Sequence, residues 1–250
     1  MMSKFKIKID SIIESIKENN IFWTSVIASI LILSYYSTGH TINSYISGMF
    51  TFVFIVFWGY LMHYISHYYN FTQCYQNSTN FILEKCHNIP LLDKIIKTIL
   101  ETTIDFHSIT HHDSSINKTP TNVVLEIVQN FLTQGGLFVF FNNYASPTFT
   151  MFPSLTNPFQ LKLNNSILKL WALFYATIHN INYRLISPIE HENHHIDPKT
   201  NYGIDLADII LNSKYNTKHS PNKKITIEDH NHSTLNIIII TVFLLWEYLE

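Results

Sequence analysis

Charged side chains are scarce in this sequence of 250 residues. They make up 14% of the chain, against the roughly 25% that is usual for soluble domains. The net charge of −2 gives no basic surface, which argues against a nucleic-acid partner. The two cysteines are too few for a disulfide framework and suit a reducing compartment. No linker is visible in a chain of this length, so we expect one domain.

The longest stretch without any charged residue covers residues 19–83. A bilayer core about 30 Å thick needs about 20 apolar residues in a helix, so this stretch has room for two spans, at 21–37 and 46–66. Two further apolar segments, 123–141 and 166–183, predict a third and a fourth span. The expected fold is therefore an all-α integral membrane protein with about four transmembrane helices. The competing interpretation is a soluble protein in which these segments are buried core helices.

The two ends of the chain differ from this central part. In residues 1–20 isoleucines alternate with lysines, which predicts an amphipathic helix lying on the membrane surface. Residues 234–250 form an apolar C-terminal helix that is short for a span, and whether it crosses the membrane stays open. Residues 21–233 are then the membrane-embedded domain.

The lysines predict the orientation of the spans. They concentrate before the first span, between the second and third, and after the fourth, in segments 67–122 and 185–233. By the positive-inside rule these segments and both termini face the cytosol. An endoplasmic reticulum-type membrane with a cytosolic, histidine-rich helical cap is the expected location.

Histidine is abundant, with 14 residues, and nine of them follow a pattern. The spacing is HxxxH in the first group, HxxxHH in the second and HxxHH in the third, with one single histidine between the last two. Residues three or four apart share one face of a helix, so each group can address one metal ion. The nine residues are His63, His67, His107, His111, His112, His179, His191, His194 and His195.

Imidazole is a ligand for iron, zinc, copper and nickel. Nine ligands exceed the four that a tetrahedral zinc site uses, whereas two ions with four or five ligands each would use them all. The pattern thus predicts a pair of metal ions, and the alternative is that the histidines are ordinary surface or capping residues.

This pattern resembles the fatty acid hydroxylase and sterol desaturase superfamily, whose members carry an HxxxH box and two HxxHH boxes after paired membrane helices. The segment from His191 to Gly203 is similar to the last box and the Asn-Tyr-Gly that follows it, and His179-Asn180 resembles the single histidine before it. The likeness covers about residues 50–215. The second box has one residue more than usual, so His107 is its least certain ligand unless a local bulge restores the spacing.

The resemblance implies an all-histidine di-iron centre, with no catalytic residues beyond the metal ligands. It implies O₂ as co-substrate, a cytochrome b5-type electron donor, and hydroxylation or desaturation of a lipid such as a fatty acyl chain or a sterol. Histidine ligands usually donate their second N–H to an acceptor. The acidic candidates for that role are Asp113, Glu192, Asp197 and Asp205.

Other functions remain open at this point. His191, Glu192 and His195 also satisfy HExxH, which is typical of zinc metalloproteases and predicts an intramembrane protease. A catalytically inactive membrane scaffold and a multi-histidine haem carrier are the two non-enzymatic alternatives.

Overall fold

The computed structural model describes residues 2–83, 89–107, 111–112, 119–145, 148–151, 159–215 and 225–249. These residues are almost all helical. The α-helices are α1 (Met2–Glu18), α2 (Asn20–Thr38), α3 (Ile42–Tyr68), α4 (Phe71–Leu83), α5 (Pro90–Ile99), α6 (Pro120–Phe131), α7 (Leu137–Ala145), α8 (Asn165–Thr177), α9 (Tyr183–Ile186), α10 (Ile189–Ile196), α11 (Asp205–Leu211) and α12 (Thr234–Trp246).

Three helices of the described part are long and apolar enough to cross a membrane: Asn20–Thr38, Ile42–Tyr68 and Pro120–Asn142. They correspond to the first three predicted spans, and the prediction of a membrane protein is supported to that extent. Their outer faces carry exposed aliphatic and aromatic side chains such as Leu31 and Val53, as expected of surface that contacts lipid.

The predicted fourth span, 166–183, is helical but is not among these three. Its α-helix, α8, ends at Thr177 and continues as a π-helical turn, Ile178–Asn182, into the short α9. Most side chains of α8 are buried, because α2, α3, α6 and α12 pack around it. Its apolar character therefore reflects burial inside the protein as much as contact with lipid, and hydropathy alone does not separate the two.

Small residues allow α2 and α3 to pack closely. A Cβ atom at Gly48 of α3 would lie 2.0 Å from the Oγ of Ser34 on α2, so only glycine fits there. In a membrane, close packing of this kind drives helix association, since lipid tails are as apolar as the side chains.

The third span is bent in the middle. After Phe131 the backbone forms a π-helical segment, Leu132–Gly136, and resumes as α7. Gly135 has φ +133°, and a Cβ there would lie 3.1 Å from the side chain of Ile55 and 3.2 Å from the Leu168 carbonyl. The bend turns the buried side chain of Gln134 toward α3, where its amide donates to the Gly59 carbonyl.

The C-terminal helix α12 packs lengthwise on α2 and α8. Asn236, near its start, hydrogen-bonds Asn182, and Tyr248, just after its end, contacts the hydroxyl of Ser166. The helix therefore runs antiparallel to α8. At 13 residues it is about 20 Å long, shorter than a bilayer core.

The N-terminal helix α1 is amphipathic in an unusual sense. Its buried face is polar: Ser11 and Ser15 are buried, and Ser15 donates to Asp205. The half-buried Lys8 donates to the carbonyl of Ile210 on α11. Its exposed face carries Ile9 and Ile13. That apolar outer face fits the predicted position at the membrane surface.

The predicted all-α fold is confirmed, and one small hairpin accompanies the helices. Two short antiparallel strands, β1 (Thr148–Met151) and β2 (Phe159–Lys162), form a hairpin in the connection before α8. Prolines and asparagines in this connection predict a loop, and two strands of four residues are too short to stand out by periodicity.

Candidate metal centre

Four elements bring the nine predicted histidines to one end of the helix bundle. The last turns of α3 carry His63 and His67, and the π-helical turn after α8 carries His179. Helix α10 has only eight residues, and it contains the whole third box, His191, His194 and His195. The second box follows α5 and its π-helical extension, Leu100–Ile104.

All nine rings lie in one continuous cluster. A first group consists of His63, His67, His107 and His194, with one ligand nitrogen of each within 4.8 Å of the others. The ring of His63 lies 5.0 Å from that of His67, 4.5 Å from that of His107 and 4.7 Å from that of His194. Three segments that are far apart in the chain thus meet around one point.

A second group lies beside the first. Nitrogens of His111, His191 and His195 are again within 4.8 Å of one another, and the ring of His179 is 4.3 Å from that of His111. His112 sits between the groups, with its ring 4.8 Å from that of His194 and 4.7 Å from that of His195. The arrangement has room for two adjacent ions.

The extra residue in the second box does not remove His107 from the cluster. Both His107 and His111 have π-helical backbone, which is wider than an α-helix. Their rings are 4.7 Å apart, and His107 is buried against His63 of the first group. His107 therefore belongs to the histidine cluster despite the extra residue in its box.

Backbone carbonyls fix the tautomers of two histidines in the first group. The Nδ1 of His63 lies 2.7 Å from the Tyr202 carbonyl, and that of His194 lies 2.6 Å from the Thr200 carbonyl. A carbonyl only accepts, so each Nδ1 carries the proton and each Nε2 keeps its lone pair. Asn201, between the two carbonyls, has φ +51°, which turns both carbonyls toward α3 and α10.

A buried glutamate has the same effect on the second group. The Oε1 of Glu126 on α6 accepts from Nδ1 of His111 at 2.9 Å and lies 3.2 Å from Nδ1 of His179. Its other oxygen accepts from Arg184 at 3.0 Å. Glu126 therefore orients His111 and lies close to His179, while its charge is balanced by an arginine.

The acidic residues expected in this role make other contacts. The carboxylate of Asp205 binds Ser15, Lys214 and the backbone N–H of Glu228, and that of Asp197 accepts from the backbone N–H of Lys199. Glu192 is exposed and lines an open cavity beside His195, and Asp113 lies outside the described residues. Sequence reasoning missed Glu126.

Burial keeps these imidazoles neutral. Desolvation lowers the pKa of His107 and of His194 well below the usual range, and neighbouring imidazoles lower each of them further. The same causes lower the pKa of His111 and of His191. Neutral imidazoles are the form that binds a metal ion.

The distances between facing imidazole nitrogens show whether the site fits a metal ion. The Nε2 atoms of His63 and His194 are 3.1 Å apart, and so are those of His191 and His195. In the first pair both Nδ1 atoms donate to carbonyls, so two lone pairs face each other, an arrangement that a cation stabilises. Metal–imidazole bonds of about 2.0–2.1 Å put two ligand nitrogens ~3 Å apart. Buried Nε2 atoms of His67, His107 and His111 have no hydrogen-bond partner among the described residues.

A second polar cluster lies behind the histidines. Asp205, Glu228 and His230 bring oxygen and nitrogen atoms within 4.8 Å of one another. The buried ammonium group of Lys214 already contacts Asp205 and lies 3.6 Å from Glu190. Since a lysine supplies the positive charge here, this cluster is a buried ion network and not a further metal site.

Comparison of this chain with known proteins found no match. No protein-family model, no curated protein and no solved structure matches this chain. The sequence pattern and the geometry of the site therefore remain the only indications of function.

Proposed function

We propose that this protein is a membrane-bound, non-haem di-iron oxidoreductase that uses O₂ to hydroxylate or desaturate a lipid. The observation that carries the proposal is the convergence of nine histidines into two adjoining groups, with lone pairs directed inward. A single zinc ion would leave half of these ligands without a role. The fatty acid hydroxylase and sterol desaturase superfamily, which the histidine pattern resembles, has an all-histidine iron pair of this kind.

The nine histidines would be divided between the two iron ions. His63, His67, His107 and His194 would hold one iron ion, and His111, His179, His191 and His195 the other, with His112 between them. When bound, the iron pair would supply reduction of O₂ and oxidation of an unactivated C–H bond. The carbonyls of Thr200 and Tyr202 and the carboxylate of Glu126 would keep the ligand rings in orientation.

The position of the cluster suits a lipid substrate. His63 and His67 end a candidate membrane-spanning helix, so the centre lies where an apolar chain can arrive from the bilayer. The histidines of the first group that are buried, His63, His107 and His194, would keep water from a carbon that reacts beside them. Hydroxylation consumes two electrons and two protons per O₂ and releases one water, so an external electron donor of the cytochrome b5 type is part of the proposal.

The experiment is expression in a host cell, followed by lipid mass spectrometry under isotopically labelled O₂. The proposal expects a lipid that carries one labelled oxygen, or one additional double bond, and that is missing when His194→Ala is expressed at the same level. If the lipid profiles of the wild-type and variant cells are identical in every host tested with a supplied reductase, the proposal fails.

One observation favours a second candidate, a zinc metalloprotease. Glu192 lines an open cavity of about 320 Å³ together with His191 and His195, as the glutamate of an HExxH motif would. In that case one equivalent of zinc is bound and Glu192→Gln abolishes proteolysis. The oxidoreductase instead keeps its iron and its activity when Glu192 is replaced.

A further inference from the structure

A small cavity lined by both polar and apolar side chains lies against the first histidine group, between α3, α6 and α8. Its volume is about 20 Å³. A water-sized group needs roughly 10–15 Å³, so the cavity holds one such group and no hydrocarbon chain. The lining residues are Met62, His63, Ser66, Ile104, His107, Gln129, Asn130, Thr133, Gln134 and Tyr175.

Two amide side chains that line this cavity each have one polar atom without a hydrogen-bond partner among the described residues. Gln129 is 4% exposed and Asn130 is 3% exposed. The Oε1 of Gln129 and the Nδ2 of Asn130 are buried without a hydrogen-bond partner among the described residues. Each such group costs about 1–3 kcal/mol if it stays unpaired.

Their neighbours on the same helix are satisfied, which makes the two amides stand out. Thr133 donates to the Gln129 carbonyl, and Gln134 donates to the Gly59 carbonyl. Gln129 and Asn130 also lie within a candidate membrane-spanning helix. Unpaired polar side chains at such a position are expensive and are typical of binding sites.

Of the two atoms that have no partner among the described residues, one is an acceptor and the other a donor. A hydroxyl group donates to one and accepts from the other. Exchanging the oxygen and nitrogen of both amides reverses the roles, and a hydroxyl still fits. An apolar methylene fits neither assignment.

We propose that Gln129 and Asn130 form a subsite for a hydroxyl group of the lipid substrate, so that the enzyme oxidises an alcohol-bearing lipid close to its hydroxyl. This inference rests on the proposed function. The oxidised carbon is close to the hydroxyl because His63 and His107 line the same cavity. A site built around a hydroxyl rejects an analogue that lacks it, since its amides are then left unpaired.

The test measures binding to the purified iron-loaded protein without O₂, so that no turnover occurs. Radiolabelled 1-hexadecanol and hexadecane are compared in the same detergent micelles. We expect the wild-type protein to bind the alcohol at least tenfold more tightly than the hydrocarbon. In Gln129→Met/Asn130→Leu the preference falls to near onefold. Gln76→Met on α4, which does not line the cavity, is the amide control and keeps the preference.

Folding of the double variant is checked by its melting temperature. Replacing unpaired buried amides by apolar side chains of similar shape is close to neutral, so we expect no loss of stability and no loss of iron. Equal binding of the alcohol and the hydrocarbon by the wild type, or an unchanged preference in the double variant, shows that the cavity holds only water and overturns the inference.

The outcome separates this inference from the proposed function. A protein that prefers the alcohol but oxidises no lipid disproves the proposed function alone. A protein that oxidises lipids but binds both probes alike disproves the hydroxyl subsite alone.

Discussion

The nine histidines could be found from the sequence because the signal is local. Spacings of three and four residues place the members of a box on one helical face without any knowledge of the fold. The meeting of the boxes depends on the packing of α3, α8 and α10, which no local pattern contains. The extra residue before His111 leaves the role of His107 open in the sequence, and its ring contacts with His63 and His111 place it in the cluster.

Glu126 illustrates what sequence reasoning missed at this scale. The acidic residues predicted to accept hydrogen bonds from the histidines lie close to the boxes, whereas Glu126 is 15 residues from His111 in the chain. A signal was present: it is the only charged residue in the predicted third span, 123–141. An ionisable residue inside a membrane segment is functional by default, and Arg184 at the end of the predicted fourth span is its partner.

Replacing Glu126 tests this orienting role. Glu126→Gln keeps the shape of the side chain but weakens its hold on Nδ1 of His111, so we expect iron affinity to fall about 10–100-fold. The measurement is a competition titration with a chelator. Glu192→Gln, which replaces an exposed glutamate of the third box, is the control and keeps wild-type affinity. Equal affinity in both variants would mean that Glu126 does not support the centre.

At the scale of elements, hydropathy located the first three spans within a few residues. Their side chains are apolar on the faces that contact lipid, and charge is absent from them over long stretches. The same reasoning does not decide whether α8 spans the membrane, since a helix surrounded by other helices is as apolar as one in lipid. The position of α12 could not be predicted from the sequence, because the helix is held by contacts with Asn182 and Ser166, which are distant in the chain.

The segment after α11 depends on one buried cation. Lys214 is 1% exposed and contacts Asp205, with Glu190 nearby. Lys214→Met leaves buried carboxylates without their countercharge, and we expect a loss of about 3–5 kcal/mol in the free energy of unfolding. The measurement is thermal or denaturant unfolding in detergent. Lys199→Met, at an exposed position, is the control.

A second replacement checks the cause of that loss. In Lys214→Met/Asp205→Asn one of the stranded charges is gone, so part of the lost stability returns. If the single variant unfolds like the wild-type protein, the ion network contributes little and the buried lysine has another role.

For the whole molecule, the buried ion network predicts a dependence of stability on pH. Burial raises the pKa of Glu228 to about 8, and the nearby Lys214 opposes this only in part. The groups that act on Glu228 are Asp205, Glu190, Lys214, Tyr183 and His230. The folded protein thus holds a proton that the unfolded chain releases near its ordinary pKa of 4.5.

The sign follows from this difference in proton binding. The stability contributed by the protonated Glu228 is fully present below about pH 4.5 and is lost as the pH rises through the folded-state value. We expect the melting temperature of the wild-type protein to fall over this range and that of Glu228→Gln to fall less. Parallel curves for the two proteins would exclude Glu228 as the source of the pH dependence.

The whole account depends on two metal ions sharing one set of nine histidines. The most direct measurement is the metal content per chain of the purified protein, combined with its visible spectrum. The account predicts two iron ions, no haem Soret band, and a clear loss of bound iron in His67→Ala and in His111→Ala, which represent the two groups. One equivalent of zinc, a haem spectrum, or full iron content in both variants would contradict it.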